Sequence, residues 1–171
     1  VSGKGLAASL LMASVQATLR DQSQSVSSTV GCITRSNSLL YESTSSEKFV
    51  TLFYAVINTI AGTMTYCNAG HEQPYLVSAD GSSRRLDAGG IVLGIVDDFP
   101  FQEETVPFTP GEFFAVFSDG ISEAVNAASD QFGEARIAAV LREHRGQPAA
   151  EIRDRLIAAV REHAAGAPQA D

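Results

Sequence analysis

Cysteine is scarce. The 171 residues include two, Cys32 and Cys67, far apart and without CxxC spacing, so neither a disulfide framework nor a zinc knuckle is indicated and both read as small core residues. Histidine is nearly as rare, and His71, His144 and His163 are scattered, which leaves a zinc enzyme without a ligand set. No basic cluster exists beyond Arg84-Arg85, and the formal net charge is -8, so the electrostatic footprint of a nucleic-acid partner is missing. An acidic protein acting on a phosphorylated substrate needs local positive charge, and divalent cations are one source of it. No apolar run approaches the roughly 20 residues of a membrane helix, and the N-terminus lacks a signal-peptide pattern. The expected location is cytoplasmic, with no membrane segment.

What is present is a composition of 44% hydrophobic, 8% aromatic and 19% charged residues, which fits a single globular domain with a sizeable core. There is no internal repeat, and the one low-complexity tract is serine-rich, residues 23–46. Residue 1 is Val rather than Met, and VSGKG begins inside a turn. The expectation is therefore a partial domain, residues 1–171, cut at both ends.

Leu6, Leu10, Ala13 and Ala17 recur at helical spacing, with Leu11 and Val15 beside them, predicting a helix of about four turns. The serine-rich tract carries a weaker helical pattern at Val30, Ile33 and Leu40. From Phe49 to Phe117 the texture turns β-branched and aromatic, punctuated by Ala61-Gly62, Asp80-Gly81 and Pro110-Gly111, which predicts a meandering antiparallel sheet. Asp80-Gly81 has the residue types of a tight hairpin turn. The apolar runs 49–57 and 113–117 lack alternation, predicting strands covered on both faces. Helical period returns with Phe132, Ile137, Val140 and Leu141, then Ile152, Leu156, Ile157 and Val160, with Pro148 suited to a first helical turn. The fold class is α+β.

Five apolar residues run into Ser118-Asp119-Gly120. Asp119 can serve there as a helix cap or project from a strand end as a metal ligand, and position alone leaves both open. VSGKG lacks the full phosphate-loop pattern, since Gly5 and Leu6 follow Lys4 where a hydroxyl should sit. It offers backbone amides and Lys4 to an anion beside a helix start. His71 in NAGH reads as structural, and Asp97-Asp98 and Glu103-Glu104 as a solvated loop and a strand edge, because neighbours in an extended chain face opposite ways.

In order along the chain, VSGKGLAASLLMA, FVTLFYAVIN, YCNAGHEQPYL, GGIVLGI, PGEFFAVFSDGISEAVN, FGEARIAAVL and the closing QAD resemble the SpoIIE/RsbU-type serine/threonine phosphatases. These are the bacterial branch of the metal-dependent protein phosphatase superfamily. The resemblance implies an α-β-β-α sandwich of two antiparallel sheets covered by helices, here lacking N-terminal strands and the last C-terminal strand. It implies two Mn²⁺ or Mg²⁺ ions, with Asp119 as a ligand, Asp171 as the first Asp of a closing D-D-x-T and also a ligand, and Val1 contributing a backbone carbonyl. Lys4 is a possible phosphate contact, and Asn68 and His71 are structural or support the metal ligands from behind, rather than acting as a general acid. The reaction it implies is attack of a metal-bridging water on phosphoserine or phosphothreonine, without a cysteine nucleophile.

The family's turn carries a bridging Asp one position before Val1, so this chain alone is expected to bind metal weakly and to be impaired. The implied substrate is a phosphorylated anti-sigma-factor antagonist, and the implied partner in the parent protein is an N-terminal sensory or receiver domain acting through residues 6–46. Exposed sheet edges would favour self-association. The alternative is a catalytically inactive phosphatase-like module that binds phosphoproteins or relays a signal. A nucleotide-binding loop at VSGKG is the third reading.

Overall fold

The computed structural model describes residues 1–25, 28–44 and 48–165. The chain divides into two compact units, one of residues 1–71 and 87–108 and the other of residues 72–86 and 109 onward. Among the described residues there are five helices and two sheets, so the α+β expectation holds.

The first unit opens with helix α1 (Leu6–Ser25) and helix α2 (Thr29–Ser43). Strands β1 (Leu52–Asn58) and β2 (Thr63–Ala69) follow as a hairpin, and β5 (Gly89–Gly90) and β6 (Glu104–Pro107) complete a four-stranded sheet. Both β1 and β6 pair antiparallel with β2, while β5 pairs parallel to it at Asn68 and Ala69. The sheet is thus not a simple meander.

Packing partners decide which stripe of α1 turns inward. Leu6 and Leu10 are 77% and 63% exposed, and the buried line is Leu11, Val15 and Leu19, three large side chains one turn apart that pack with Ile33, Leu40, Val50, Cys67, Ala69, Leu93 and Phe101. Strand β1 also departs from expectation. Its burial fades along its length, with Val56 and Ile57 exposed, because it is an edge strand, whereas central β2 is buried nearly throughout. Apolar content without alternation marked the hairpin but not which strand lay inside.

Helix α2 is held from outside its own sequence. Asn37, fully buried, accepts the Gly94 amide at 2.9 Å and donates to the Val96 carbonyl at 2.8 Å, and the Ser38 hydroxyl donates to Asp97 at 3.2 Å. Glu103, exposed at the edge of β6, has partners in α2. It accepts hydrogen bonds from the Ser28 and Thr29 hydroxyls and from the Val30 amide, at the start of α2. Glu104 accepts from the Tyr66 hydroxyl.

The second unit contains β3 (Tyr75–Val77), β4 (Ser83–Arg85) and β7 (Phe113–Ala115), in the order β4-β3-β7 and wholly antiparallel. The turn at Asp80-Gly81 joins β3 to β4 as its composition predicts. The Ser78 amide donates to Ser82 and the Gly81 amide to Ser78, both at 2.9 Å, and Asp80 accepts from the Ser82 amide and hydroxyl. Strand β7 sits at the sheet edge and is half-buried, so its expected two-sided burial is likewise not found.

Helices α3 (Asp119–Ser122), α4 (Gly133–Glu143) and α5 (Ala149–His163) complete the unit. Ile137 and Leu141 of α4 and Ile152, Leu156 and Val160 of α5 join Tyr75, Val77, Phe117 and Phe132 in its core, each contributing about 1.5–3 kcal/mol through burial. Val140 and Ile157 are half-buried at the margin of that stripe. Pro148 stands at the N-cap rather than in the first turn.

Candidate functional site

Asp119 is the first residue of α3, and the N-cap position belongs to Ser118, in extended backbone and without a side-chain capping bond. The capping reading of Asp119 is therefore displaced. Its carboxylate is exposed, Oδ1 accepts the adjacent Gly120 amide at 2.8 Å, and it forms no ion pair among the described residues. The negative charge sits at the positive end of a short helix, where it is favoured. An exposed carboxylate with its second oxygen directed to no protein donor can accept a cation.

The VSGKG turn lies in the first unit. The Ser2 amide donates to the Phe49 carbonyl at 2.8 Å, and the Ser2 hydroxyl accepts the Phe49 amide at 3.0 Å, so the turn is tied to the residue preceding the sheet. Gly5 closes it by accepting the amide and hydroxyl of Ser9 in α1. A second lysine that the sequence reading missed stands beside it. The Lys48 Nζ is 3.4 Å from where a side chain at Gly3 would begin.

In NAGH, the buried Asn68 amide clamps the backbone of His71, accepting its N–H at 2.8 Å and donating to its carbonyl at 3.0 Å, while His71 Nδ1 lies 3.5 Å from the Thr51 hydroxyl. This is the geometry of a structural corner, as read from the sequence. Cys32 and Cys67 are buried free thiols. Burial raises both, Cys67 to about 11.

Val1 and Lys4 belong to the first unit and Asp119 to the second, and Asp171 lies outside the described residues. Among the described residues no three His, Cys, Asp or Glu side chains converge as a metal-holding group. The donors expected from the sequence, carboxylate oxygens and a backbone carbonyl, are of the hard type that suits Mn²⁺ or Mg²⁺. No described helix is long and apolar enough to cross a membrane.

The chain is 32% identical over 89 residues to Protein IcfG of Synechocystis sp. (strain ATCC 27184 / PCC 6803 / Kazusa), covering 52% of this chain and 14% of IcfG. It is 29% identical over 124 residues to the phosphoserine phosphatase RsbU of Bacillus subtilis (strain 168), covering 72% of this chain and 37% of RsbU. The chain thus spans well under half of either relative. Among solved structures, the SiaA-PP2C domain of Pseudomonas aeruginosa matches with a TM-score of 0.85 at 20% identity, over 99% of this chain and 69% of that one.

Two further solved structures share the fold. RsbX in complex with magnesium has a TM-score of 0.66 and 20% identity, and the Mn-presoaked SpoIIE phosphatase domain of Bacillus subtilis 0.63 and 18%. Each covers 92% of this chain and 69% of its own. The family model for Stage II sporulation protein E (SpoIIE) matches residues 1–171, and the chain belongs to that family.

Proposed function

We propose that this domain hydrolyses phosphoserine or phosphothreonine on a regulatory protein in a Mn²⁺- or Mg²⁺-dependent reaction. The observation that carries the reading is Asp119, an exposed carboxylate without an ion-pair partner among the described residues, at the start of α3 just beyond a strand. Asp119, Asp171 and the Val1 carbonyl would hold the cations, which when bound neutralise phosphoryl charge and acidify water. Lys4 adds positive charge beside the α1 N-terminus, suited to orienting a phosphate. The α-β-β-α sandwich belongs to the same reading, supported by likeness to the SiaA-PP2C fold.

A phosphorylated anti-sigma-factor antagonist is the substrate class that the sequence resemblance implies, and the similarity to a phosphoserine phosphatase supports the phosphoserine part of that reading. A sensory or receiver domain in the parent protein is the regulatory partner, and the cytoplasm the location. The test is phosphate release from a phosphoserine peptide by the full-length protein, with MnCl₂ and with EDTA. Release that needs metal, and that falls in Asp119→Asn by more than the roughly 10–100-fold typical of an outer-shell change, is expected. Undiminished turnover in Asp119→Asn would sink the site assignment, and peptide binding without release would favour a phosphoprotein-binding module.

A further inference from the structure

We propose that Arg85 is a positioning residue for Asp119, an inference that rests on the metal-ligand reading of that carboxylate. The ladder between β3 and β7 ends at the pair Tyr75–Ala115. Beyond it the chain runs through Val116, which is 46% exposed, to Phe117, which is 7% exposed, and then enters α3 at Asp119. Phe117 is therefore the last anchored side chain before the carboxylate. What it rests against sets where Asp119 emerges.

It rests against a plate built by register. Arg85 ends β4 directly opposite Tyr75, and Tyr75 is opposite Ala115 on its other side, so the three residues form one row across the sheet. Two residues past Ala115, Phe117 returns to the same face, and its ring stacks on Tyr75 with centroids 6.0 Å apart and planes at 22°. The Arg85 guanidinium lies 4.5 Å over the Tyr75 ring and 5.9 Å from that of Phe117, within the range of cation–π attraction.

The guanidinium is fixed in turn by Glu72 at 3.0 Å and Glu134 at 3.2 Å, with its own side chain only 20% exposed. Glu134 lies in the first turn of α4, and its backbone carbonyl accepts the Tyr75 hydroxyl at 3.3 Å. Strand, aromatic plate and helix are thereby joined through one planar cation. Nη2 hydrogen-bonds Glu72 while Nη1 meets Glu134 as an ion pair without a hydrogen bond. Lysine could supply the charge but not the plane that lies over the Tyr75 ring between the two carboxylates. Ligand-holding groups need this kind of support, because a small drift of one oxygen weakens coordination.

The experiment uses the full-length protein and MnCl₂, with free Mn²⁺ followed by electron paramagnetic resonance at a temperature well below each variant's melting point. Arg85→Met, Arg85→Lys, Glu134→Gln and Asp119→Asn are compared with the unmodified protein. Arg85→Met is expected to weaken Mn²⁺ binding about tenfold, Arg85→Lys less, and Glu134→Gln, which removes only an exposed partner, least. A purely structural role would lower the melting temperature of Arg85→Met and leave Mn²⁺ affinity unchanged while Asp119→Asn weakens it, and that result overturns the proposal. Unchanged affinity in Asp119→Asn itself overturns the ligand reading, and the positioning role with it.

Discussion

The carboxylate of Glu103 accepts three hydrogen bonds at the start of α2, from the Ser28 and Thr29 hydroxyls and the Val30 amide, across 73 to 75 residues of chain. No acidic residue lies in the first turn of α2 itself. The loop before β6 therefore supplies the negative charge that a helix N-terminus favours.

That contact makes a pH prediction with a definite sign. The Thr29 hydroxyl first, then the Val30 amide, hold the Glu103 carboxyl below its ordinary range. A depressed folded value means that the contribution is complete above the unfolded value of about 4.3 and fades as pH falls through the folded one. Glu103 is exposed, so solvent screening keeps the effect near that of an ordinary cap, about 1 kcal/mol. Urea unfolding should show Glu103→Ala less stable at pH 7 and closer to the unmodified protein near pH 3. Equal midpoints at pH 7 would remove the contact from the energetics.

The two thiols should be inert in the folded chain. Burial first, and then the nearby Glu103 charge, push Cys67 up to about 11, and Cys32 is also raised, mainly by burial. Thiolate is the reactive form, so a chromogenic disulfide reagent at pH 8 should label neither cysteine in native buffer and both in denaturant. Rapid native labelling of Cys67 would contradict its burial.

How far the sequence was legible depends on the range of each interaction. The Ile137–Leu141 and Ile152–Leu156–Val160 stripes and the Asp80-Gly81 turn are local patterns, and all appear as read. The inward stripe of α1 was not, because two apolar lines ran side by side and only packing partners separate them. Asp119 was visible as a carboxylate at a strand's end. Arg85 was not, because in Arg84-Arg85 the residue that turns onto Tyr75 is fixed by strand register. The partners of Glu103 were hidden for the same reason, since its three donors lie at the start of a helix distant in sequence.

Register also makes Gly89 irreplaceable. A Cβ there would stand 1.9 Å from the Asn68 carbonyl oxygen and 2.6 Å from its backbone nitrogen, and Asn68 is its partner in the β2–β5 pairing. Backbone cannot yield without breaking that pair. Gly89→Ala should cost about 4 kcal/mol or more, or prevent cooperative folding. Gly146 is the control, at φ 84° with open space around it, where alanine should cost about 1–2 kcal/mol. Similar melting temperatures for the two variants would contradict the steric account.

Asn37 offers the sharpest test of how α2 is attached. Its fully buried amide spends its oxygen on the Gly94 amide and its NH₂ on the Val96 carbonyl, so one side chain satisfies two backbone groups of the 93–97 loop. Asn37→Leu keeps the branched four-atom shape with bulkier methyl ends and adds apolar burial, but leaves both backbone groups without that partner, at about 1–3 kcal/mol each. The net expectation is a loss of about 2–4 kcal/mol, read as a lower urea midpoint at unchanged slope. Asn37→Asp should behave differently, since one oxygen can still accept the Gly94 amide while the other faces the Val96 carbonyl. Its deficit should shrink as pH falls, because protonation restores a donor toward Val96. A pH-independent deficit in Asn37→Asp, or a loss under about 0.5 kcal/mol in Asn37→Leu, would show that packing rather than this amide holds the loop to α2.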